Sequence, residues 1–227
     1  MRKKSACEAA VIVPTFNEQE NIGRLVRGLL KMGYCVIVAD GGSSDGTEKE
    51  VLAIGDRRAV FLRSPGGRRR GLSDSVMDAA LAADAEKIIV MDADFQHPLE
   101  KVPELAAALD NSEMAVGCRT KNENWGLGRQ VISLGGNWTA RAVFALRGSA
   151  SCSDPVSGFF GFRKSLLGKI SRRRVVGEGF KVLVDVLKQL GKGTKIAEVP
   201  YVFVGRDGGG SKFRARHALL FLKSLLS

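Results

Sequence analysis

Residues 87–98 read Lys-Ile-Ile-Val-Met-Asp-Ala-Asp-Phe-Gln-His-Pro. A short run of apolar, mostly β-branched residues stops at two carboxylates, Asp92 and Asp94, set two positions apart. Runs of four or five apolar residues without alternation are strands buried on both faces, and such strands belong to sheets covered by crossover helices. The carboxylates therefore stand at the end of a buried strand, where open α/β sheets hold their ligands.

Working outward, similar runs recur at Ala9–Val13, Cys35–Ala39, Ala59–Leu62 and Met114–Gly117. Segments of helical period separate them: Glu18–Met32, Asp45–Ile54, Leu72–Ala83, Glu100–Leu109 and Arg129–Leu146. This alternation predicts an α/β fold with a mostly parallel sheet and flanking helices, and 227 residues suit a single domain. Asn17 with Glu20 makes an N-x-x-E capping pattern for the first helix, and Ser44 is the expected cap of the second. After Gly148 the alternation loosens. Gly158–Phe162 and Ala197–Val204 read as strands around a helix at Glu178–Leu190, and Phe213–Leu226 reads as a basic amphipathic helix, suited equally to a membrane interface or to a core-packed terminus.

Lysine and arginine number 35 against 24 acidic residues, a net charge of +11 that attracts phosphates, nucleic acid or an acidic membrane face. No helix-turn-helix or zinc-finger spacing and no interleaving of aromatic with basic residues accompanies the charge, which argues against nucleic acid as the partner. The four cysteines, Cys7, Cys35, Cys118 and Cys152, are widely spaced without a C-x-x-C pair. They are expected to be reduced, core or near-core thiols of a cytosolic protein. Met1-Arg-Lys-Lys is followed only by the short apolar stretch Ala9–Val13, too brief for a signal segment or a membrane span.

Hard cations such as Mg²⁺ or Mn²⁺ take oxygen ligands from one or two carboxylates together with substrate phosphates. Asp92, Asp94 and Gln96 offer such oxygens, although the segment alone reads equally well as a polar turn capping the next helix. His97 before Pro98 reads as a hydrogen-bonded loop residue rather than a ligand. Val-Pro-Thr-Phe-Asn-Glu at 13–18 and Ala-Asp-Gly-Gly-Ser-Ser-Asp-Gly-Thr at 39–47 close the first two strands. Taken separately each segment reads as a plain turn and cap, but two adjacent polar strand ends also suit a nucleotide site, with Asp40 placed to accept hydrogen bonds from a base or ribose. No G-x-G-x-x-G or Walker motif follows a strand, which removes the main support for nicotinamide binding and P-loop hydrolysis.

In order and spacing these three segments resemble the inverting family 2 glycosyltransferases. Arg70-Gly-Leu72, Val116-Gly-Cys-Arg119, Arg129 with Ser133, Asp154-Pro-Val-Ser-Gly158-Phe159, Gly179-Phe-Lys181 and Arg206 upstream of Ser211-Lys212 are similar to the dolichyl-phosphate mannose synthase family within them, over about residues 9–213. The resemblance implies a GT-A fold and metal-dependent, inverting transfer of mannose from GDP-mannose to dolichyl phosphate. It further implies a chain peripheral to the cytosolic face of a membrane, meeting an anionic membrane surface and, since many relatives recruit one, a membrane-anchoring subunit. Residues 9–118 would form the nucleotide-sugar half, 119–212 the acceptor half, and 213–227 the terminal helix.

By matching positions, Pro14, Phe16, Glu18, Asp40, Asp92 and Arg206 would bind the donor, and Asp92, Asp94 and Gln96 the Mg²⁺ or Mn²⁺. Arg119, Arg129 and Ser133 would bind the acceptor phosphate, with Asp94, Arg119, Arg206 and Lys212 at the reacting centre. Three departures bear on donor base and sugar: Ala39 precedes Asp40 where a second acid is common, Gly210 replaces a Glu, and Leu134 stands where Arg is common. They keep open transfer of another sugar, such as glucose from UDP-glucose, to a polyprenyl phosphate. A non-catalytic nucleotide-sugar-binding protein is disfavoured by the intact D-A-D-F-Q segment.

Overall fold

The computed structural model describes residues 7–63, 71–122, 127–171 and 182–203. In chain order they form β1 (Ala9–Thr15), α1 (Gln19–Lys31), β2 (Cys35–Asp40), α2 (Thr47–Leu52), β3 (Ala59–Arg63), α3 (Leu72–Ala82), β4 (Lys87–Val90), α4 (Val102–Ala108), β5 (Met114–Asn122), α5 (Leu127–Arg147), β6 (Phe160–Arg163), α6 (Val182–Leu187) and β7 (Ile196–Phe203). Each element expected among the described residues is present, with ends shifted by a few residues. The part of the expected helix at 178–181 and the terminal helix at 213–226 lie outside the described residues.

Among the described residues seven strands make one sheet in the order β3-β2-β1-β4-β6-β5-β7. All neighbours pair in parallel except β6, which is antiparallel to both β4 and β5. Every residue of β1 is buried. Because side chains alternate across a strand, Ile12, Ile37, Ile88 and Val90 pack on one face with Val76 and Met77 of α3 and Leu183 and Leu187 of α6. Val11, Val13, Val36 and Ile89 pack on the other with Leu25 and Leu29 of α1 and Leu105 of α4. Each such aliphatic side chain contributes about 1.5–3 kcal/mol on burial, so helices on both faces are what make a fully apolar strand soluble. No helix among the described residues is long and apolar enough to cross a membrane.

The expected helix caps are corrected. The residue at the start of α1 is Glu18, whose side chain makes no cap bond, and Asn17 sits at φ 55° with its amide oxygen accepting the Ser44 N–H at 2.9 Å. Ser44 does not cap α2 either; the Thr47 N–H at its start is accepted by Asp45 Oδ1 at 3.0 Å. A short polar side chain serves whichever N–H the fold brings near it, and here that donor belongs to a neighbouring loop rather than to the helix.

The expectation of four reduced thiols is corrected for two. The β1–β2 register sets Ala10 opposite Cys35, and Cys7, just ahead of β1, lies with its Cα 5.7 Å from that of Cys35 and forms a disulfide with it. Cys118 and Cys152 are free and buried. The bridge closes a loop of sequence separation 28 around β1 and α1, a length for which cross-linking restricts the unfolded chain by about 3.6 kcal/mol. Guanidinium denaturation of Cys7→Ser/Cys35→Ser should give an unfolding free energy lower than that of the oxidised protein by about 2–4 kcal/mol.

Candidate active site

The parallel strands β1, β2, β4 and β5 all release their C-terminal ends at one edge of the sheet, and the antiparallel β6 brings its N-terminal lead-in, 154–159, to that same edge. Thr15, Asp40, Asp92 and Arg119 thereby converge from four segments far apart in sequence.

The loops after β1 and β2 are joined by reciprocal hydrogen bonds. The Asn17 N–H donates to Ser43 Oγ at 2.8 Å, the Glu18 N–H to Thr47 Oγ1 at 3.0 Å and the Gln19 N–H to Asp45 Oδ2 at 3.2 Å. In return, the Gly46 N–H donates to Gln19 Oε1 at 2.7 Å, beside the Ser44 bond to Asn17. A Cβ at Gly46 would fall 2.7 Å from the Gln19 side-chain amide, so a larger residue there would displace that amide from its bond to the Gly46 N–H. Pro14 is buried, while Phe16 and Glu18 are half-buried at the rim.

Asp40 is 1% exposed. Its Oδ2 accepts the Gly42 and Ser43 N–H groups, both at 2.9 Å, and its Oδ1 accepts the hydroxyls of Ser43 at 2.5 Å and Thr15 at 3.2 Å. This carboxylate therefore shapes the loop after β2, a role beyond the nucleotide contact expected of it from sequence.

After β4 the chain turns sharply. Asp94 Oδ1 accepts the Gln96 N–H at 3.2 Å, and Phe95 adopts φ 57° beneath the Arg24 guanidinium, 4.0 Å from its ring centroid. Asp94 and Gln96 are largely buried, whereas the Asp92 side chain is 45% exposed. Across the edge, Arg119 Nε and Nη2 donate to Asp154 Oδ2 and Oδ1 at 2.6 and 2.7 Å, a two-pronged pair with both side chains less than a tenth exposed. Burial works against the guanidinium charge, but the hydrogen bonds and charge of Asp154 together outweigh it, so the Arg119 pKa is raised. Arg129 and Ser133 lie on the first turns of α5 with their side chains outside the described residues, and Arg70, Arg206 and Lys212 lie outside them altogether.

The glycosyl transferase family 2 profile matches residues 10–171, which carry all of these strand ends. This chain is a family 2 glycosyltransferase. Among curated proteins it is 34% identical to a dolichol-phosphate mannosyltransferase of Pyrococcus furiosus over 96% of its own length and 62% of the relative's. It is 33% identical to the dolichol-phosphate mannosyltransferase of Mycosarcoma maydis over 98% of this chain and 79% of that one. It thus spans less than two thirds of the archaeal relative. Among solved structures, glucosyl-3-phosphoglycerate synthase from Mycobacterium tuberculosis in complex with Mn²⁺, UDP-glucose and phosphoglyceric acid superposes with a TM-score of 0.72 at 20% identity, covering 97% of this chain and 79% of the other. That likeness is one of fold, and the fold is GT-A.

What the sequence of this glycosyltransferase does not disclose is which residues hold others in place. Asp154 stands in an Asp-Pro-Val-Ser-Gly motif that gives it no role, and only the tertiary pairing reveals it as the partner of Arg119. Asn17, Gln19 and Asp45 look like helix-end residues rather than loop fasteners. Cys118 borders the site, but burial pushes its thiol up to about 12, so it stays protonated at neutral pH. Asp154→Ala would strip a buried guanidinium of its counter-charge and should lower the unfolding free energy by about 3–5 kcal/mol in urea titration.

Proposed function

We propose that this family 2 glycosyltransferase moves mannose from GDP-mannose to dolichyl phosphate, inverting the anomeric carbon, as a single domain working peripherally at the cytosolic face of a membrane. The observation that carries the proposal is the convergence at one sheet edge of two fastened loops, a pair of carboxylates and a buried, oriented arginine. The curated relatives named dolichol-phosphate mannosyltransferase support the choice of sugar and acceptor. The net charge of +11 suits both a phosphorylated lipid and an anionic membrane surface, and a membrane-anchoring subunit would add to that hold.

The donor set of the turn after β4 suits a hard divalent cation. Asp92, Asp94 and Gln96 offer oxygen atoms as metal ligands, and no group of three or more His, Cys, Asp or Glu residues among the described residues could hold a metal ion. A set this small matches Mg²⁺ or Mn²⁺ completed by substrate phosphates, not a cage made wholly of protein. When bound, the cation would supply positive charge to the departing diphosphate and a template for the donor.

The remaining work falls to the chain itself. Pro14, Phe16 and Glu18, with the loop that Asp40 organises, would hold the nucleotide. A phosphate monoester, largely dianionic at pH 7, is already nucleophilic, so the site needs no general base. Arg119, Arg129 and Ser133 would orient that phosphate for in-line attack, with Arg206 and Lys212 adding positive charge near the reacting centre. Asp154 takes one edge of the Arg119 fork and so fixes the direction in which the rest of its five N–H donors point. Residues 9–118 would thus serve the donor and 119–212 the acceptor.

Transfer of labelled sugar into the lipid phase from GDP-mannose with dolichyl phosphate and Mg²⁺ or Mn²⁺ should be metal-dependent. Asp94→Ala should lower it by about 100-fold or more, and Arg129→Lys should slow it measurably. Label from UDP-glucose alone would overturn the sugar, and an Asp94→Ala variant with unchanged turnover would overturn the metal assignment.

A further inference from the structure

Beneath the turn that carries Asp92 and Asp94 lies a histidine to which the proposed reaction gives no part. His97 is 1% exposed, so it meets neither solvent nor substrate directly. Its Nδ1 accepts the backbone N–H of Asp92 at 3.0 Å. An accepting Nδ1 carries no proton, so the ring hydrogen resides on Nε2. That atom is 3.8 Å from Asp92 Oδ2, beyond hydrogen-bond length but near enough for attraction. One ring thus addresses both the main chain and the carboxylate of the same residue.

The ring itself has little freedom. It stacks on Phe159 with centroids 5.1 Å apart and planes 10° from parallel, and the rings of Tyr201 and Phe203 meet it edgewise at 5.9 and 5.8 Å. From the other side Gly158 closes in: a Cβ there would stand 3.0 Å from Asp92 Oδ2 and 3.2 Å from His97 Cε1. The carboxylate therefore has the imidazole and the backbone at 158 as close neighbours, while nearly half of the Asp92 side chain remains open to solvent.

We infer that His97 is a positioning residue for Asp92: clamped by aromatic rings from the β6 lead-in and β7, it holds the Asp92 backbone and carboxylate in the orientation that receives a divalent cation. This rests on the proposal that Asp92 is a metal ligand. Had the histidine been selected only to fill the core, phenylalanine would serve as well, because it stacks equally on Phe159. What phenylalanine lacks is the acceptor for the Asp92 N–H. Partners that orient a ligand from behind are worth about 10–100-fold in metal affinity.

The test uses the full chain and measures Mn²⁺ binding by loss of the free-ion EPR signal, with GDP present and again with UDP, alongside thermal unfolding. His97→Phe keeps the stack and removes the acceptor. His97→Asn sacrifices the stack but sets a carbonyl oxygen near the place of Nδ1. The expected result is Mn²⁺ affinity about 10–100-fold weaker in His97→Phe and within about 3-fold of the parent in His97→Asn, although the asparagine variant is the less stable to heat. Affinity that follows thermal stability, or is unchanged in His97→Phe, would overturn the inference. Asp94→Ala in the same assay separates the two levels. If it retains parental Mn²⁺ binding, the metal proposal itself falls; if it loses binding while His97→Phe does not, only the role of His97 falls.

Discussion

A sheet whose strands all ran one way would leave the lead-in of every strand at the edge away from the site. Here β6 runs against its neighbours, with Phe160 opposite both Val90 of β4 and Val116 of β5. Its lead-in therefore arrives among the C-terminal ends of the others, and three contacts depend on that arrival: Asp154 on Arg119, Gly158 against Asp92 and Phe159 against His97. The insertion is tight. A Cβ at Gly161 would stand 3.0 Å from the Ile88 carbonyl, and one at Gly117 would stand 2.8 Å from the Phe159 ring. Two glycines thus admit the strand and the ring that leads into it, and the carboxylate turn and the arginine inherit their positions from it.

The sequence disclosed what depends on local pattern. Apolar runs such as Lys87–Met91 announced strands because burial on both faces leaves no alternation to confuse with a helix. Asp92 and Asp94 were visible because two charges that end a buried run must meet water, a counter-charge or a ligand at the sheet edge. What stayed hidden were pairings between distant segments. Asn17 and Glu20 have the spacing of a helix cap, and nothing local says that the amide of Asn17 will meet the Ser44 N–H instead. The bond between Cys7 and Cys35 needed the β1–β2 register. Asp154 and Arg119 are 35 positions apart, and no periodicity connects them. Asp40 was singled out, but the Gly42 and Ser43 N–H groups and the Thr15 and Ser43 hydroxyls that donate to it could be seen only after the loop was folded around it.

The electrostatics of the edge are more restrained than a net charge of +11 suggests. Arg119 is brought to the site together with its own counter-charge, which lowers the cost of burying it and leaves a directional group in place of a bare positive one. The turn after β4 does the reverse, exposing one carboxylate while tying down the next. Opposite charges thus stand at one edge of the sheet, each beside a neighbour that orients it. Preorganisation of this kind is how a site avoids rearranging its dipoles when a reaction begins.

The fastening of the loops after β1 and β2 has a consequence for how this chain can diverge. Asn17, Gln19, Ser43, Asp45 and Thr47 each supply one half of a bond whose other half is mostly main chain from the opposite loop. A replacement on one side leaves a backbone N–H to be satisfied by another group, so such positions change in concert or not at all. Descendants of this sequence would therefore carry the two loops as one inherited unit, and a graft of either loop alone into a relative would bring only half of the bonds that hold it.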